Sequence, residues 1–345
     1  MTSPLVSVLV AVYKTNEKHL KECIDSILNQ TYRNFELLIL DDCPADKNVK
    51  KVVESYNDAR IFYRQNKKNL GISKTRNELM KWARGKYYAV MDHDDIMMPK
   101  RLETQVHYME LHSEVGICGA RYKYFGNWKK RGVVVHPEAS DIIKAGLFFK
   151  CTMHHPSIMI RADVIKKHKI AYNSDYVSAN DRHLYLDTMP YAEFCNLPVV
   201  LMKYRIHKGM TSKQKRQVIV AEQKSLRQEM LKKMVAQLSN SQETVLNDFA
   251  LKGRCRIRDK KTLEAIEKVF RKLDFANQKS GYFPKEAFSK ICAGYFVKRC
   301  LNAAVWGRIS SQRLLKQTIL PVQNVKMPFL LKLLNCLLPV SKEPK

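Results

Sequence analysis

The sequence holds nine cysteines but no C-x-x-C pair and no zinc-type cysteine spacing. An odd, scattered set argues against a disulfide framework and for a reducing compartment, with the thiols as packing residues. No stretch approaches the roughly 20 consecutive apolar residues needed to span a bilayer. The opening Met-Thr-Ser-Pro leads straight into an apolar run, without a charged leader or a cleavable apolar stretch, so no secretory signal is expected. Low-complexity tracts are also missing. These absences together predict a cytoplasmic protein, one that attaches at most peripherally to the inner face of the plasma membrane.

Acidic residues are in short supply: 33 against 61 Lys and Arg, a formal net charge of +28. From Lys213 to the end there are 28 basic and 10 acidic residues, so +18 of that charge lies in the last 133 residues and +10 in the first 212. Such a field attracts nucleic acid, anionic lipid headgroups or polyanionic substrates, and charge alone does not choose among them. At 345 residues the chain can form one large domain with a sizeable core plus a smaller appendage.

Short apolar, β-branched runs alternate with amphipathic segments. Val6–Val12 and Glu36–Leu40 read as buried parallel strands, with further strands at Arg60–Tyr63 and Tyr87–Met91. Between them, Glu17–Asn29 carries Leu20, Cys23, Ile24, Ile27 and Leu28 at helical spacing, and Val49–Tyr56 reads as a second helix. A third helix is expected from Ser73, with the serine hydroxyl as its cap. This alternation predicts an α/β fold on a largely parallel sheet. Further apolar runs follow at Pro156–Ile160 and Leu197–Met202; beyond Lys213 the pattern turns helical, near 215–238, 260–274 and 284–302. The expected division is residues 1–212 and a basic helical region, residues 213–345.

The chemically suggestive residues follow the strands, where open α/β sheets bind ligands. Asp41 and Asp42 end one strand, and Asp92-His93-Asp94-Asp95 ends another. Three carboxylates within four residues repel one another unless a cation or hydrogen bonds offset the charge. A hard divalent ion, Mg²⁺ or Mn²⁺, is the natural partner and keeps positions open for phosphate oxygens. Taken alone, the same residues also suit a solvated acidic turn. The segment Asn69–Asn77 is a Gly-containing loop running into a helix, a ready anion site to which Arg76 adds a guanidinium, though taken alone an ordinary capped helix with a surface Arg explains it better. Asp181 is a candidate general base or a helix cap; His207, like His154 and His155, is a ligand candidate or a structural histidine.

The order of these segments is more specific than any one of them: Val-Ser-Val-Leu-Val-Ala-Val-Tyr, Leu-Ile-Leu-Asp-Asp, Asn-Leu-Gly-Ile-Ser-Lys-Thr-Arg-Asn, Met-Asp-His-Asp-Asp, then Asn-Asp and Tyr-Arg-Ile-His. It resembles the family 2 glycosyltransferases, inverting enzymes with the GT-A fold, over residues 4 to 212. The resemblance implies that Tyr13 lies against the nucleotide base and Asp41 hydrogen-bonds it, usually as uracil. Arg76 then sits near the nucleotide. Asp92 and Asp94 match the D-x-D motif, Asp92 towards the ribose and Asp94 towards the metal, with Asp92 and His207 as further ligand candidates and Asp95 as the neighbouring acid. Asp181 matches the catalytic base, and His207 lies in the stretch that closes over the phosphates. Three positions depart from the family pattern: Lys14 stands for the usual Asn, Cys43-Pro44-Ala45-Asp46 for Gly-Ser-Thr-Asp, and Asn180 for the Glu before the base.

The implied reaction is transfer of a sugar from a nucleotide-sugar donor, usually a UDP-sugar, to a hydroxyl of a glycan or lipid-linked acceptor, as in polysaccharide or lipopolysaccharide assembly. The basic C-terminal region, with Phe329–Leu338 between two prolines, suits docking on an anionic membrane surface or packing on the catalytic domain. A nucleic-acid-binding protein explains the charge but not the ordered acids, which repel a phosphate backbone. A catalytically silent sugar-nucleotide binder keeps the motifs without turnover. A nucleotidyltransferase needs a Gly-rich phosphate loop where Ala11-Val12-Tyr13-Lys14 stands.

Overall fold

A computed structural model describes residues 3–126, 131–207, 216–252 and 260–305. The chain divides into two compact units, Met1–Ile143 with Cys151–Glu222, and Lys144–Lys150 with Gln223–Lys345.

The first unit is built on strands β1 (Val6–Val12), β2 (Phe35–Asp41), β3 (Ile61–Gln65), β4 (Tyr87–Asp92), β5 (Ile96–Met97), β6 (Val115–Phe125), β7 (Val133–Val134), β8 (Met159–Arg161) and β9 (Glu193–Arg205). Helices α1 (Glu17–Leu28), α2 (Asn48–Glu54), α3 (Ile72–Trp82), α4 (Arg101–Leu111), α5 (Ser140–Gly146), α6 (Ala162–Lys167) and α7 (Asn180–Thr188) connect them. The strand order is β3-β2-β1-β4-β8-β6-β9-β5, with β7 beside β6. The first four strands run parallel. Strand β8 is antiparallel to both its neighbours, so the sheet is mixed, although β6 and β9 are again parallel.

The residues of β2 are all buried and those of β1 nearly so, as expected of strands covered on both faces. Helix α1 presents Leu20, Cys23, Ile24 and Ile27 to this core. Parallel register sets the ends of the strands level: Val12 pairs with Asp41 on one side of β1, and Ala11 pairs with Asp92 on the other. The order reverses at β1, with β2 and β4 on opposite flanks, which opens the crevice where such sheets take ligands.

At the opposite end of the same strands lies a polar knot built on buried Ser7 and Glu36. Ser7 Oγ donates to Glu36 Oε1 at 2.6 Å, and Arg84 reaches Glu36 through its backbone N–H and its guanidinium. The Gly85 N–H donates to Ser7 Oγ at 2.8 Å. A second anchor is Arg101, wholly buried, which gives hydrogen bonds to the carbonyls of Val90, Pro156 and Ile158 and so ties the parallel half of the sheet to the short antiparallel strand.

Ser73 does not cap α3. The N-cap is Gly71 at φ 82°, and the Ser73 hydroxyl, already inside the helix and buried, donates to the Tyr176 carbonyl at 2.9 Å. Asp42 takes part in fixing the helix start, accepting from the N–H groups of Leu70 and Gly71, both at 2.8 Å.

The second unit is helical. Its elements are the later part of α8 (Arg216–Lys233), then α9 (Asn240–Lys252), α10 (Lys260–Ser280) and α11 (Lys285–Val305). Three lie where the sequence pattern expects helices; α9 is additional. Phe148 meets Phe288 edge-on at 5.5 Å, and Phe149 stacks on Phe270 at 5.9 Å. No helix among the described residues is long and apolar enough to cross a membrane. The segment Phe329–Leu338 lies outside the described residues.

Candidate active site

The carboxyl ends of β1, β2 and β4 carry the first half of the site. Tyr13 follows β1 with 45% of its surface exposed, beside Lys14, which adopts φ 48° and holds its ammonium 5.4 Å from the tyrosine ring centre. Asp41 is fully buried. One oxygen accepts the Cys43 N–H at 2.9 Å, the other Gln65 Nε2 at 2.9 Å and the Tyr63 hydroxyl at 3.2 Å. Burial raises its carboxyl above the ordinary range, and these three donors pull it partly back. A carboxylate offers about four acceptor directions, of which these donors occupy three.

Arg76 connects the two halves of the site. From the second turn of α3, one terminal nitrogen pairs with Asp92 Oδ1 at 3.2 Å and the other donates to Asn180 Oδ1 at 3.1 Å. The guanidinium also lies 5.6 Å from the centre of the Tyr172 ring. Asn180 Nδ2 donates in turn to Ser73 Oγ and to the Val177 carbonyl. The sequence departure from Glu to Asn at position 180 thus leaves a neutral side chain that both accepts from Arg76 and donates to α3.

Asp92, Asp94 and Asp95 bring ligand-capable oxygens within 4.8 Å of one another. Asp94 Oδ2 lies 2.7 Å from His207 Nε2, and the rings of His207 and His19 are 5.4 Å apart. Asp95 is fully buried; its Oδ1 accepts the Arg205 N–H at 2.8 Å, while Oδ2 is buried without a hydrogen-bond partner. Burial, and then the charges of Asp94 and Asp92, drive the Asp95 carboxyl well above its ordinary value. An orphaned buried oxygen inside a triad of hard ligands fits a divalent cation. Arg205 braces the loop, donating from Nε to the Asp94 carbonyl at 2.6 Å and pairing with Glu22.

Asp181 stands in the first turn of α7. Its Oδ1 accepts the Arg182 N–H at 2.6 Å, and the Cys151 thiol lies 3.7 Å from Oδ2. It does not cap the helix, because Ala179 occupies that position. Desolvation pushes its carboxyl up, against the Arg182 N–H and the positive charge of Arg76. His155 is buried between the hydroxyls of Tyr185 and Tyr172, at 2.9 and 3.1 Å, which makes it a structural residue.

Sequence reasoning gave no role to Arg205 and passed over His19 and Cys151 as parts of the site. Asn180 and Arg205 both lie inside the motifs, and Asn180 stood out there only as a departure from the family pattern. His19 and Cys151 enter only through tertiary packing.

The family model for glycosyl transferase family 2 matches residues 7–180. An uncharacterized glycosyltransferase of Haemophilus influenzae is 35% identical over 61% of this chain and 68% of its own length. A UDP-Glc:alpha-D-GlcNAc-diphosphoundecaprenol beta-1,3-glucosyltransferase of Escherichia coli is 28% identical over 62% of this chain and 82% of its own. The crystal structure of residues 1–349 of S. aureus TarS in complex with UDP-GlcNAc superposes with a TM-score of 0.57 at 16% identity, covering 88% of this chain and 93% of that one, and establishes the likeness of fold. With the mixed α/β sheet, the acids at its strand ends and these relatives in hand, the chain belongs to glycosyl transferase family 2 and is a glycosyltransferase of GT-A fold.

Proposed function

We propose that the enzyme moves a sugar from a UDP-sugar to a hydroxyl of a glycan or lipid-linked acceptor, with inversion at the anomeric carbon. The observation that carries this reading is Arg76 bonded at once to Asp92 and to Asn180, which joins the strand-end acids to the helix that bears Asp181. Asp181 takes the acceptor proton as the hydroxyl attacks opposite the leaving diphosphate, and its desolvation makes it a stronger base than an exposed aspartate. Arg76 supplies fixed positive charge beside the leaving group. Tyr13 packs on the base, Asp41 accepts a base N–H through its remaining lone pair, and Asp92 reads the ribose.

Asp94 and Asp92, with His207, would hold a divalent cation, Mg²⁺ or Mn²⁺, and Asp95 would complete its carboxylate shell. When bound, that ion would neutralise charge on the diphosphate. The lipid-diphosphate acceptor of the E. coli relative and the UDP-GlcNAc held by TarS support the donor and acceptor classes proposed. The division proposed is a catalytic part, residues 1–212, and a basic region, residues 213–345, that docks at the inner face of an anionic membrane in polysaccharide or lipopolysaccharide assembly.

The test is release of nucleoside diphosphate from a panel of nucleotide sugars with and without Mn²⁺. Release from UDP-sugars that EDTA abolishes and Asp181→Asn removes supports the reading. Donor binding without release, in the presence of Mn²⁺ and candidate acceptors, makes the chain a silent binder instead.

A further inference from the structure

Helix α7 starts without a cap of its own. Its N-cap is Ala179, which has no side chain to accept the unpaired N–H groups that every helix N-terminus presents. A carboxylate from far along the chain instead binds the N-cap and the two residues ahead of it. Glu222, on α8 and still within the first unit, reaches the segment that leads into α7. Its Oε1 accepts the Val177 N–H at 2.7 Å, and its Oε2 accepts the N–H groups of Ser178 at 2.7 Å and Ala179 at 3.0 Å. Three successive backbone donors therefore close on one carboxylate, a charge-assisted set stronger than neutral hydrogen bonds and aligned with the positive end of the helix.

The opposite side of the same segment is held by α3. Ser73 Oγ donates to the Tyr176 carbonyl, and Asn180 Nδ2 donates to Ser73 Oγ. Tyr176 and Ala179 are buried at the two ends of the segment, but Val177 between them is 39% exposed. The backbone from Val177 to Ala179 is held by hydrogen bonds, and Glu222 supplies three of them.

We propose that Glu222 is a positioning residue for catalysis: its carboxylate fixes the start of α7 and thereby aims Asp181 at the acceptor oxygen. This inference rests on the reading of Asp181 as base. Misplacement of a reacting group by about 1 Å costs on the order of 100-fold in rate. Glu222→Ala is therefore expected to lower kcat by about that factor and to weaken UDP binding far less, because Tyr13, Asp41 and Asp92 make none of these contacts and Arg76 keeps its pairing with Asp92. Glu222→Gln keeps one carbonyl oxygen to serve Ser178 and Ala179, and its rate falls between the two.

The experiment measures diphosphate release from the best donor of the panel, with Mn²⁺ and water as acceptor, for the full-length Glu222→Ala, Glu222→Gln, Asp181→Asn and Glu222→Ala/Asp181→Asn proteins, alongside UDP titration by calorimetry. Residue action through Asp181 predicts that Glu222→Ala costs nothing further in the Asp181→Asn background. Hydrogen exchange supplies a readout that needs no turnover: the amides of Val177, Ser178 and Ala179 exchange at least about tenfold faster in Glu222→Ala and unchanged in Asp181→Asn. Wild-type kcat or unchanged exchange in Glu222→Ala overturns the proposal, as does a parallel loss of kcat, UDP affinity and thermal stability. Normal turnover by Asp181→Asn fails the base reading itself; normal turnover by Glu222→Ala beside an inactive Asp181→Asn fails the positioning role alone.

Discussion

His207 Nε2 and Asp94 Oδ2 lie 2.7 Å apart although 113 residues separate them in sequence. The contact joins the end of the Tyr-Arg-Ile-His stretch to the D-x-D motif, so a residue that holds Asp94 is itself delivered by the far strand β9. Loss of a group that orients or completes a metal site typically weakens the metal by 10 to 100-fold. His207→Ala is expected to raise the Mn²⁺ concentration for half-maximal activity by about that range, and titration of activity against Mn²⁺ reads it.

With Asp181 as the proposed base, the acid limb of the pH–rate profile is expected to follow its carboxyl. An ordinary carboxyl titrates near about 4. Desolvation raises that of Asp181, so the unprotonated base, and with it kcat/KM, is lost at a higher pH on acidification than an exposed aspartate would allow. Arg76 opposes the shift, and Arg76→Gln is expected to move the limb further up while weakening donor binding. The stability sign runs the other way from that of a salt-bridged carboxylate. The native state holds this proton more tightly than the unfolded chain between the ordinary and the raised value, so stability falls as pH rises through that window. Asp181→Asn removes the penalty and is expected to melt no lower than wild type at pH 7, by thermal unfolding at several pH values.

Arg101 offers a test of the fold alone. Burial draws its guanidinium down to about 10, still charged at neutral pH, and its hydrogen bonds satisfy three main-chain carbonyls. Arg101→Met fills part of the volume but takes a donor from each of these carbonyls, of which Ile158 keeps the Val90 N–H, and leaving buried acceptors unsatisfied costs about 1–3 kcal/mol each. Denaturant unfolding measures the loss.

Gly85 has no room for a side chain. A Cβ there would lie 2.6 Å from the Ser7 amide nitrogen and 2.8 Å from the Leu5 carbonyl oxygen, both backbone atoms. Gly85→Ala is expected to destabilise by about 1–3 kcal/mol, with the strands forced apart, as read by the same unfolding experiment.

The strands that carry the acids were legible because their chemistry is repetitive. Phe35–Asp41 and Tyr87–Asp92 are nearly continuous apolar runs, and each ends in an aspartate. Strand β8 was not legible as antiparallel: three residues contain no orientation signal, and its direction follows from neighbours in space. Ser73 resembled a cap because a hydroxyl preceded an amphipathic run, yet its partner is a carbonyl 103 residues away. The candidate site divides in the same manner. Asp41, Asp92, Asp94 and Asp181 fall in local motifs, whereas Glu222 sits in a helix of mostly basic charge where an acid reads as solvent-facing.

Strands buried on both faces lack the inside–outside alternation that ordinarily prevents slippage, since an apolar residue satisfies either face. The knot of Ser7, Glu36, Arg84 and Gly85 supplies the missing gauge. Ser7 and Glu36 are direct register partners across β1 and β2, and Gly85 bonds to the same serine just ahead of β4. A slip of one residue in either neighbour would break this buried set and would also turn Asp41 or Asp92 to the wrong side of the sheet. One end of the strands thus acts as a vernier for the other: the contacts of Ser7, Glu36, Arg84 and Gly85 set the level at which Asp41 and Asp92 emerge.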